Sequence, residues 1–408
     1  MSKGKMISSR IYQGNPAFNY LPEGDKYFLA GEKPKYKFNV IGTGIMGQEH
    51  IRVTMLEGRA TVKGVFDPNE GSVAGAKAQF AQYSNDELKV HQSLEAACMD
   101  PEVDGLIIAT PNYTHIDLVK EAIKSGKHIM LEKPIATNLQ DAHTIYEISE
   151  EYNGVFQIGL QYRYKPTYRE VINQVKGGNG SNGSVVGDIK SISILEHRIP
   201  FLDKVDQWNK FSELSGDTLV EKCCHYFDLL NLFAGARPVD VYASGGQAVN
   251  FVGYEYEGKT SDILDNALVI VNYENGVRAS FNLCMFAPFF YEELIICGDE
   301  GHLKAWEKED FLPQSSSGTG IDINRGDSQP SLRITPNYPA RIQATGHHGA
   351  TFMEHIDFVN NIDGIETPTA TALEGLWSIA VASAAQESIK TGQVVKINDH
   401  LADNGIDI

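Results

Sequence analysis

Cysteine is scarce and odd in number: Cys98, Cys223, Cys224, Cys284 and Cys297 are the five in 408 residues, and no two form a CxxC pair. This argues against a disulfide framework or a zinc site and favours a reducing compartment. No run approaches the ~18 apolar residues that a membrane helix needs. The segment from Met1 to Lys37 has neither an apolar core stretch nor a twin arginine, so no export signal is read there and the cytoplasm is expected. Positive charge is in deficit, with 35 Lys and Arg against 53 Asp and Glu, a net charge of −18. A nucleic-acid partner is therefore not expected, because a phosphate backbone needs a basic face. A local positive pocket for an anionic cofactor remains compatible with this balance. Biased repeats are also missing. A chain that is 42% hydrophobic and 22% charged has a globular composition, and its length favours two domains.

What is present falls into three stretches. Residues 1–36 read as an arm, with Tyr12, Phe18, Tyr20, Tyr27 and Phe28 scattered among Gly, Pro and charge. Residues 37–160 alternate short apolar runs with helical stretches. Strands are expected at Phe38–Ile41, Thr61–Phe66, Gly105–Ala109, His128–Leu131 and Val155–Leu160. Helices are expected from the Gly turn to Glu57, over His115–Ser125 and over Asn138–Glu151, with Thr137 or Asn138 as N-cap. Such alternation implies an α/β fold with a doubly wound parallel sheet. Residues 161–408 read as an α+β domain with a large, mostly antiparallel open sheet. Its expected strands are Val239–Gly246, Asn266–Tyr273, Val277–Met285, Glu292–Cys297 and Val394–Ile397, and Glu274-Asn275-Gly276 marks a hairpin. One helix is expected over Asp217–Ala234 and others over Phe352–Asn361 and Ala372–Thr391. Gly177–Ser184 and Ser315–Asp327 read as loops rich in Gly and Ser.

The sharpest local signal is Gly42-Thr43-Gly44-Ile45-Met46-Gly47. It follows a strand and opens a helix, the context that gives GxGxxG its meaning. Gly42 would allow the tight turn, Gly44 the approach of a pyrophosphate, and Gly47 close helix–strand packing. The helix N-terminus would offer its free N–H groups and positive dipole end. Asp67 stands 20 residues after Gly47, at the end of the second strand. A carboxylate there binds ribose hydroxyls and repels a 2′-phosphate, favouring NAD over NADP. A glycine-rich turn without a ligand is the alternative.

Three more motifs accompany it: Thr110-Pro111-Asn112 with His115, Glu132-Lys133-Pro134, and Glu221 followed by His225 and Asp228. Together with the glycine motif they resemble the Gfo/Idh/MocA oxidoreductases, named for glucose–fructose oxidoreductase and inositol dehydrogenase. The resemblance runs from about Phe38 to Ile397. It implies that Thr110, Pro111, Asn112 and His115 line the cofactor, together with Glu132, Lys133 and Gln161. It places Lys133 at both nicotinamide and substrate, commonly with a cis Lys133–Pro134 bond. It puts Trp208 near the substrate and Gly159-Leu160-Gln161-Tyr162-Arg163 at the border of the nicotinamide pocket. It further implies a homodimer or homotetramer joined through the flat face of the second sheet. The chain departs from the pattern at Glu221, where the family usually has Asp. Lys222, Cys223 and Cys224 stand where small residues are usual, and Ser215-Gly216-Asp217 replaces a Gly run.

Glu221 and His225 are four residues apart, so on one helix they would share a face. A carboxylate beside an imidazole fixes its tautomer and raises its basicity, as a general base near neutral pH requires. His225 is assigned as proton acceptor, and Lys133 as the charge that stabilises the reacting oxygen. A core histidine and a surface lysine are the alternatives. Arg163 could bind substrate or pair with an acid, and one of His347 and His348, here His348, could reach the pocket. Cys223 and Cys224 read as helix-packing residues, Phe286–Tyr291 as sheet packing, and no metal site is proposed. The expected activity is hydride transfer between a nicotinamide and a hydroxyl-bearing carbon of a sugar, sugar derivative or cyclitol. A redox-assisted glycosidase or lyase with bound NAD, and a non-catalytic NAD-binding regulator, are the rivals.

Overall fold

The computed structural model describes residues 33–176, 183–310 and 316–408. The expected arm lies outside the described residues up to residue 32, as does most of the expected Gly177–Ser184 loop. Six parallel strands form the first sheet: β1 (Tyr36–Ile41), β2 (Ala60–Phe66), β3 (Lys89–Val90), β4 (Gly105–Ile108), β5 (His128–Glu132) and β6 (Phe156–Gly159). Their order is β3-β2-β1-β4-β5-β6. The chain direction of winding reverses between β1 and β4, so a crevice opens there at the carboxyl ends of the strands. β4 is Gly-Leu-Ile-Ile and fully buried, as a central strand covered on both faces must be.

Helices cover both faces: α1 (Ile45–Glu57), α2 (Glu70–Phe80), α3 (Leu94–Cys98), α4 (His115–Ala122) and α5 (Leu139–Glu150). Their starts are set by polar caps. Asn69, Ser93 and Asn138 each accept from the backbone N–H three residues on, satisfying donors that a helix leaves unpaired.

Beyond α6 (Pro166–Lys176) lies a nine-stranded sheet. Its strands are β7 (Ile189–His197), β8 (Pro238–Gly246), β11 (Asn266–Tyr273), β12 (Arg278–Cys284), β13 (Phe290–Gly298), β14 (His302–Glu309), β15 (Gly318–Asn324), β16 (Leu332–Ile334) and β17 (Val395–Lys396). A small pair, β9 (Glu255–Tyr256) and β10 (Lys259–Thr260), stands apart. The order is β16-β15-β14-β13-β7-β12-β11-β8-β17, and β7–β12 is its parallel pair. The hairpin between β11 and β12 turns at Gly276, φ 84°. Alternation buries Ala267, Val269 and Val271 while Leu268 and Ile270 face outward. α7 (Asp217–Glu221) leads into α8 (Cys224–Ala234), which covers the inner face together with α10 (Ala372–Thr391); α7 packs against α10, and α9 (Ala350–Ile362) against α1. Thr371 starts α10 with a reciprocal capping box to Glu374.

Three expectations are corrected. Residues 318–324 are not loop but strand β15: their glycines make room for Trp306 across the ladder, where a Cβ on Gly320 would meet the indole Nε1 at 3.0 Å. The last strand is only Val395–Lys396, followed by a helix over Ile397–Asp403. The segment Asp217–Ala234 is two helices rather than one. The Thr218 carbonyl accepts from the N–H groups of both Lys222 and Cys223, the second spanning five residues. The helix is therefore widened by a residue between Glu221 and His225, a feature common at functional sites.

Candidate active site

The glycine motif performs three separate steric tasks. Gly42 has φ 85°, and a Cβ there would meet the Ala109 carbonyl oxygen at 2.5 Å. A Cβ on Gly47 would meet the Gly42 oxygen at 2.0 Å. Gly44 faces open space, with no heavy atom within 4 Å of its would-be Cβ. No side chain caps α1, and Ile45 beside it is 57% exposed, with Met46 half-buried. Free amides below an open cradle suit a pyrophosphate. Asp67 accepts from the Thr43 N–H (2.6 Å) and Oγ1 (3.1 Å), which holds its carboxylate at the rim of this cradle.

Two substitutions separate these tasks. Gly47→Ala is expected to lower both the melting temperature and NADH affinity, because the turn must move. Gly44→Ala is expected to leave the melting temperature unchanged and weaken NADH at least about tenfold by intruding on the ligand. Calorimetric melting and NADH fluorescence titration read the two. Equal losses of stability would contradict the assignment.

The next motifs split between cleft and support. Thr110 and Pro111 are half-buried at the end of β4. Asn112 is buried and donates to the Ser215 carbonyl at 3.1 Å, joining this loop to the second domain. His115 is buried, its Nδ1 2.8 Å from the Pro134 carbonyl and its Nε2 3.2 Å from that of Thr110. Burial lowers its pKa, so the neutral ring donates to one of them. Glu132 is buried against His50 (2.9 Å) and accepts from the Lys133 N–H at 3.0 Å. Asn112, His115 and Glu132, expected to line the cofactor, are thus committed to the protein and hold the loop ends. The Lys133–Pro134 bond is cis, as the resemblance implied.

The Lys133 ammonium donates to the Glu221 carbonyl at 2.9 Å and lies 3.6 Å from its carboxylate. Burial opposes the ammonium, but Glu221, together with Cys224 and Glu132, keeps the amine above its ordinary range. Lys204 also reaches Glu221, at 3.2 Å. Burial alone would raise the Glu221 carboxyl, yet Lys133, Lys204 and Lys222 hold it down to about 2. The pairing expected between Glu221 and His225 is therefore absent, because the widened turn sends the carboxylate to two lysines.

His225 is 2% exposed. Its ring lies on that of Tyr162, centroids 4.1 Å apart and planes at 11°. Burial, with Lys133 and Lys222 nearby, holds its pKa well below the ordinary value. The imidazole is neutral at pH 7, which a proton acceptor requires.

Of the two roles open to Arg163, the structure shows the pairing with acids in place of the substrate contact. Its guanidinium grips both carboxylate oxygens of Asp228 and also meets Glu374 at 2.9 Å. The bidentate edge of the fork, which would grip a carboxylate, is thus taken by Asp228. Trp208 is 8% exposed with the Lys204 ammonium 4.4 Å above its ring. His348 is partly exposed, 3.1 Å from Glu307, on a loop where Gly346, His347, His348 and Gly349 all have positive φ. Gln161 is buried with its amide oxygen unpartnered.

Sequence reasoning gave no site role to Lys165, Lys222 or three glutamates, and gave Tyr162 only a place in the segment bordering the nicotinamide pocket. Glu196, Glu292 and Glu307 stand directly opposite one another on β7, β13 and β14, facing the core. Like charges so placed repel, and cations offset them. Lys165 meets Glu292 (2.7 Å) and Glu307 (3.2 Å), while Lys222 (3.2 Å) and Arg198 (3.4 Å) meet Glu196. The available signal was a lysine inside an apolar helical segment, which must find a buried partner.

Two family models match in the order of the fold. One, an oxidoreductase family with an NAD-binding Rossmann fold, covers residues 36–160, and its C-terminal alpha/beta partner covers residues 182–397. The chain belongs to the Gfo/Idh/MocA oxidoreductase family. Among its relatives is scyllo-inositol 2-dehydrogenase (NAD(+)) of Bacillus subtilis, 23% identical, with 90% of this chain and 98% of the relative aligned. Myo-inositol 2-dehydrogenase of Thermotoga maritima is 21% identical over 89% of this chain and 99% of its own. The solved structure of levoglucosan dehydrogenase with NADH and levoglucosan superposes with TM-score 0.73 at 18% identity, covering 89% of this chain and 99% of that one, a likeness of fold. As a member of the Gfo/Idh/MocA family, the chain is an NAD-binding oxidoreductase. Among the described residues, no helix is long and apolar enough to cross a membrane, and no cluster of His, Cys, Asp and Glu could hold a metal ion.

Proposed function

We propose that the chain oxidises a secondary hydroxyl of an uncharged sugar or cyclitol with NAD as hydride acceptor, Lys133 and His225 acting on the hydroxyl oxygen. The observation that carries this reading is the bond from the Lys133 ammonium to the Glu221 carbonyl, which ties the end of β5 to the turn that leads into His225. When bound, the nicotinamide accepts the hydride. The Lys133 ammonium, kept charged by Glu221, stabilises negative charge developing on the substrate oxygen. His225, kept neutral by its burial, takes the hydroxyl proton. Asp67 at the cradle rim favours NAD over NADP, since its carboxylate would repel a 2′-phosphate. Trp208 and His348 border the substrate, and the Gln161 amide oxygen awaits a donor from the nicotinamide carboxamide.

The test is incubation with NAD and a panel of cyclitols, aldoses and anhydrosugars, following absorbance of the reduced nicotinamide. Turnover of at least one neutral polyol is expected, and its loss in His225→Gln with NADH binding retained. Glycoside cleavage without net NADH would replace this reading by redox-assisted elimination. Cofactor binding with no turnover of any kind would replace it by a regulatory role.

The outer face of the nine-stranded sheet carries Tyr242, Leu268 and Ile270, the last opposite Tyr242 in the ladder. We assign a second copy of the chain to this face, consistent with the cost of leaving contiguous apolar surface in water. Light scattering is expected to give twice or four times the mass of one chain, and a stable monomer would remove the assignment.

A further inference from the structure

We propose that Tyr162, braced by Lys222 and Glu196, is the group that positions His225 among the surrounding cations, a positioning task the sequence pattern assigns to Glu221. This rests on the reading of His225 as proton acceptor and names the residues that prepare it.

The carboxylate one would look to is occupied elsewhere. Glu221 faces Lys133 and Lys204, and His225 Nδ1 is buried without a hydrogen-bond partner. No side-chain hydrogen bond among those described fixes the imidazole plane. What fixes it is the Tyr162 ring, near-parallel at 4.1 Å. Tyr162 is itself held on every side. Its hydroxyl accepts from the Lys222 ammonium, which also lies 4.4 Å from the ring centroid. Lys222 is anchored in turn at 3.2 Å by Glu196, a fully buried residue of β7. Tyr168 stacks at 6.1 Å, Tyr226 meets the ring edge-on at 5.5 Å, and Lys165 lies 4.8 Å from the centroid. The widened turn after Glu221 makes this possible by turning Lys222 inward to Tyr162 and Glu196.

The brace also biases the charge of His225. The charges with the largest effect on it come from each neighbouring element: Lys133 after β5, Lys165 at the start of α6, Lys222 beside α8 and His347 before α9, while the facing carboxylates of Glu221, Glu292 and Glu196 are each paired with one of these lysines. All four are cations or cationic when protonated, so an imidazolium at this position is disfavoured. Burial makes the largest contribution to the same effect, and the cation closest in sequence, Lys222, stands where the family pattern has a small residue.

The experiment is a proton titration of His225 in the full chain, followed by NMR of ring-labelled histidine and assigned with His225→Gln. In the wild type the His225 signal is expected to stay flat through the range around pH 6.5 where free imidazoles titrate. Lys222→Met removes the charge at similar length, and the midpoint is expected to rise by about one pH unit. Lys222→Arg, which keeps the charge, is expected to restore the flat profile. Tyr162→Phe, which keeps the stack and removes the hydroxyl anchor, is expected to give a smaller rise, and it decides the matter should Lys222→Met not fold. An unmoved titration in the folded variants overturns the proposal. A titration that moves as stated in a protein that turns over no polyol leaves this positioning role standing and overturns the dehydrogenase reading instead.

Discussion

Lys133→Met is expected to lower kcat/KM by about three orders of magnitude, within the range of 10²–10⁴ typical of a positioned acid–base group. The side chain is deeply set, its ammonium held by the Glu221 carbonyl at 2.9 Å. Glu221 keeps that ammonium charged even though burial opposes it. Methionine preserves the volume and removes the charge at the reacting oxygen. Glu221 retains Lys204 at 3.2 Å, so its carboxylate is not abandoned and the fold should survive. NADH affinity is expected to stay within about threefold of the wild type, since the Gly42–Gly47 cradle is untouched. Lys133→Arg should recover only part of the rate, because a planar fork does not replace a compact ammonium. Rates follow from NADH absorbance with the polyol found by the panel, and affinity from NADH fluorescence. A kcat/KM within about threefold of the wild type would remove Lys133 from the chemistry.

Arg163→Ala should instead be a loss of stability. The guanidinium is buried between Asp228, a residue of α8, and Glu374 at the start of α10. Removing it leaves the Asp228 carboxylate buried without its cation, and burial already raises that group's pKa. Breaking a buried pair from one side costs about 3–5 kcal/mol. The denaturant midpoint should fall accordingly, while KM for the polyol in the folded fraction stays near the wild-type value. Had Arg163 been a substrate ligand, the pattern would be reversed: a raised KM at an unchanged midpoint. The measurement thus separates two roles that the sequence left level.

Much of the chain could be read in advance because the signals are local. A strand buried on both faces must be apolar throughout, so Gly105–Ile108 announces itself. Asn138 caps its helix because its side chain reaches an amide three residues away, and Ala372–Thr391 begins at a capping box written in four residues. The Ser/Gly-rich segment around residue 320 misled for a reason that is not local. Its glycines serve a tryptophan on the neighbouring strand, and no window along the chain contains both.

The sequence by itself determined the alternating strands and helices of the parallel sheet, the glycine turn with Asp67 after the next strand, and the position of Lys133 after β5, each legible within one strand–turn–helix unit, and it determined the family through the combination of four such motifs. Tertiary structure alone decided the partners. It gave Glu221 to Lys133 and Lys204, Arg163 to Asp228 and Glu374, and His225 to the face of Tyr162. Spacing of four residues predicts a shared face only while every helical turn closes at its normal length. The bond from Cys223 back to Thr218 opens that turn by one residue, and a buried charge then takes whichever opposite charge the packing brings nearest.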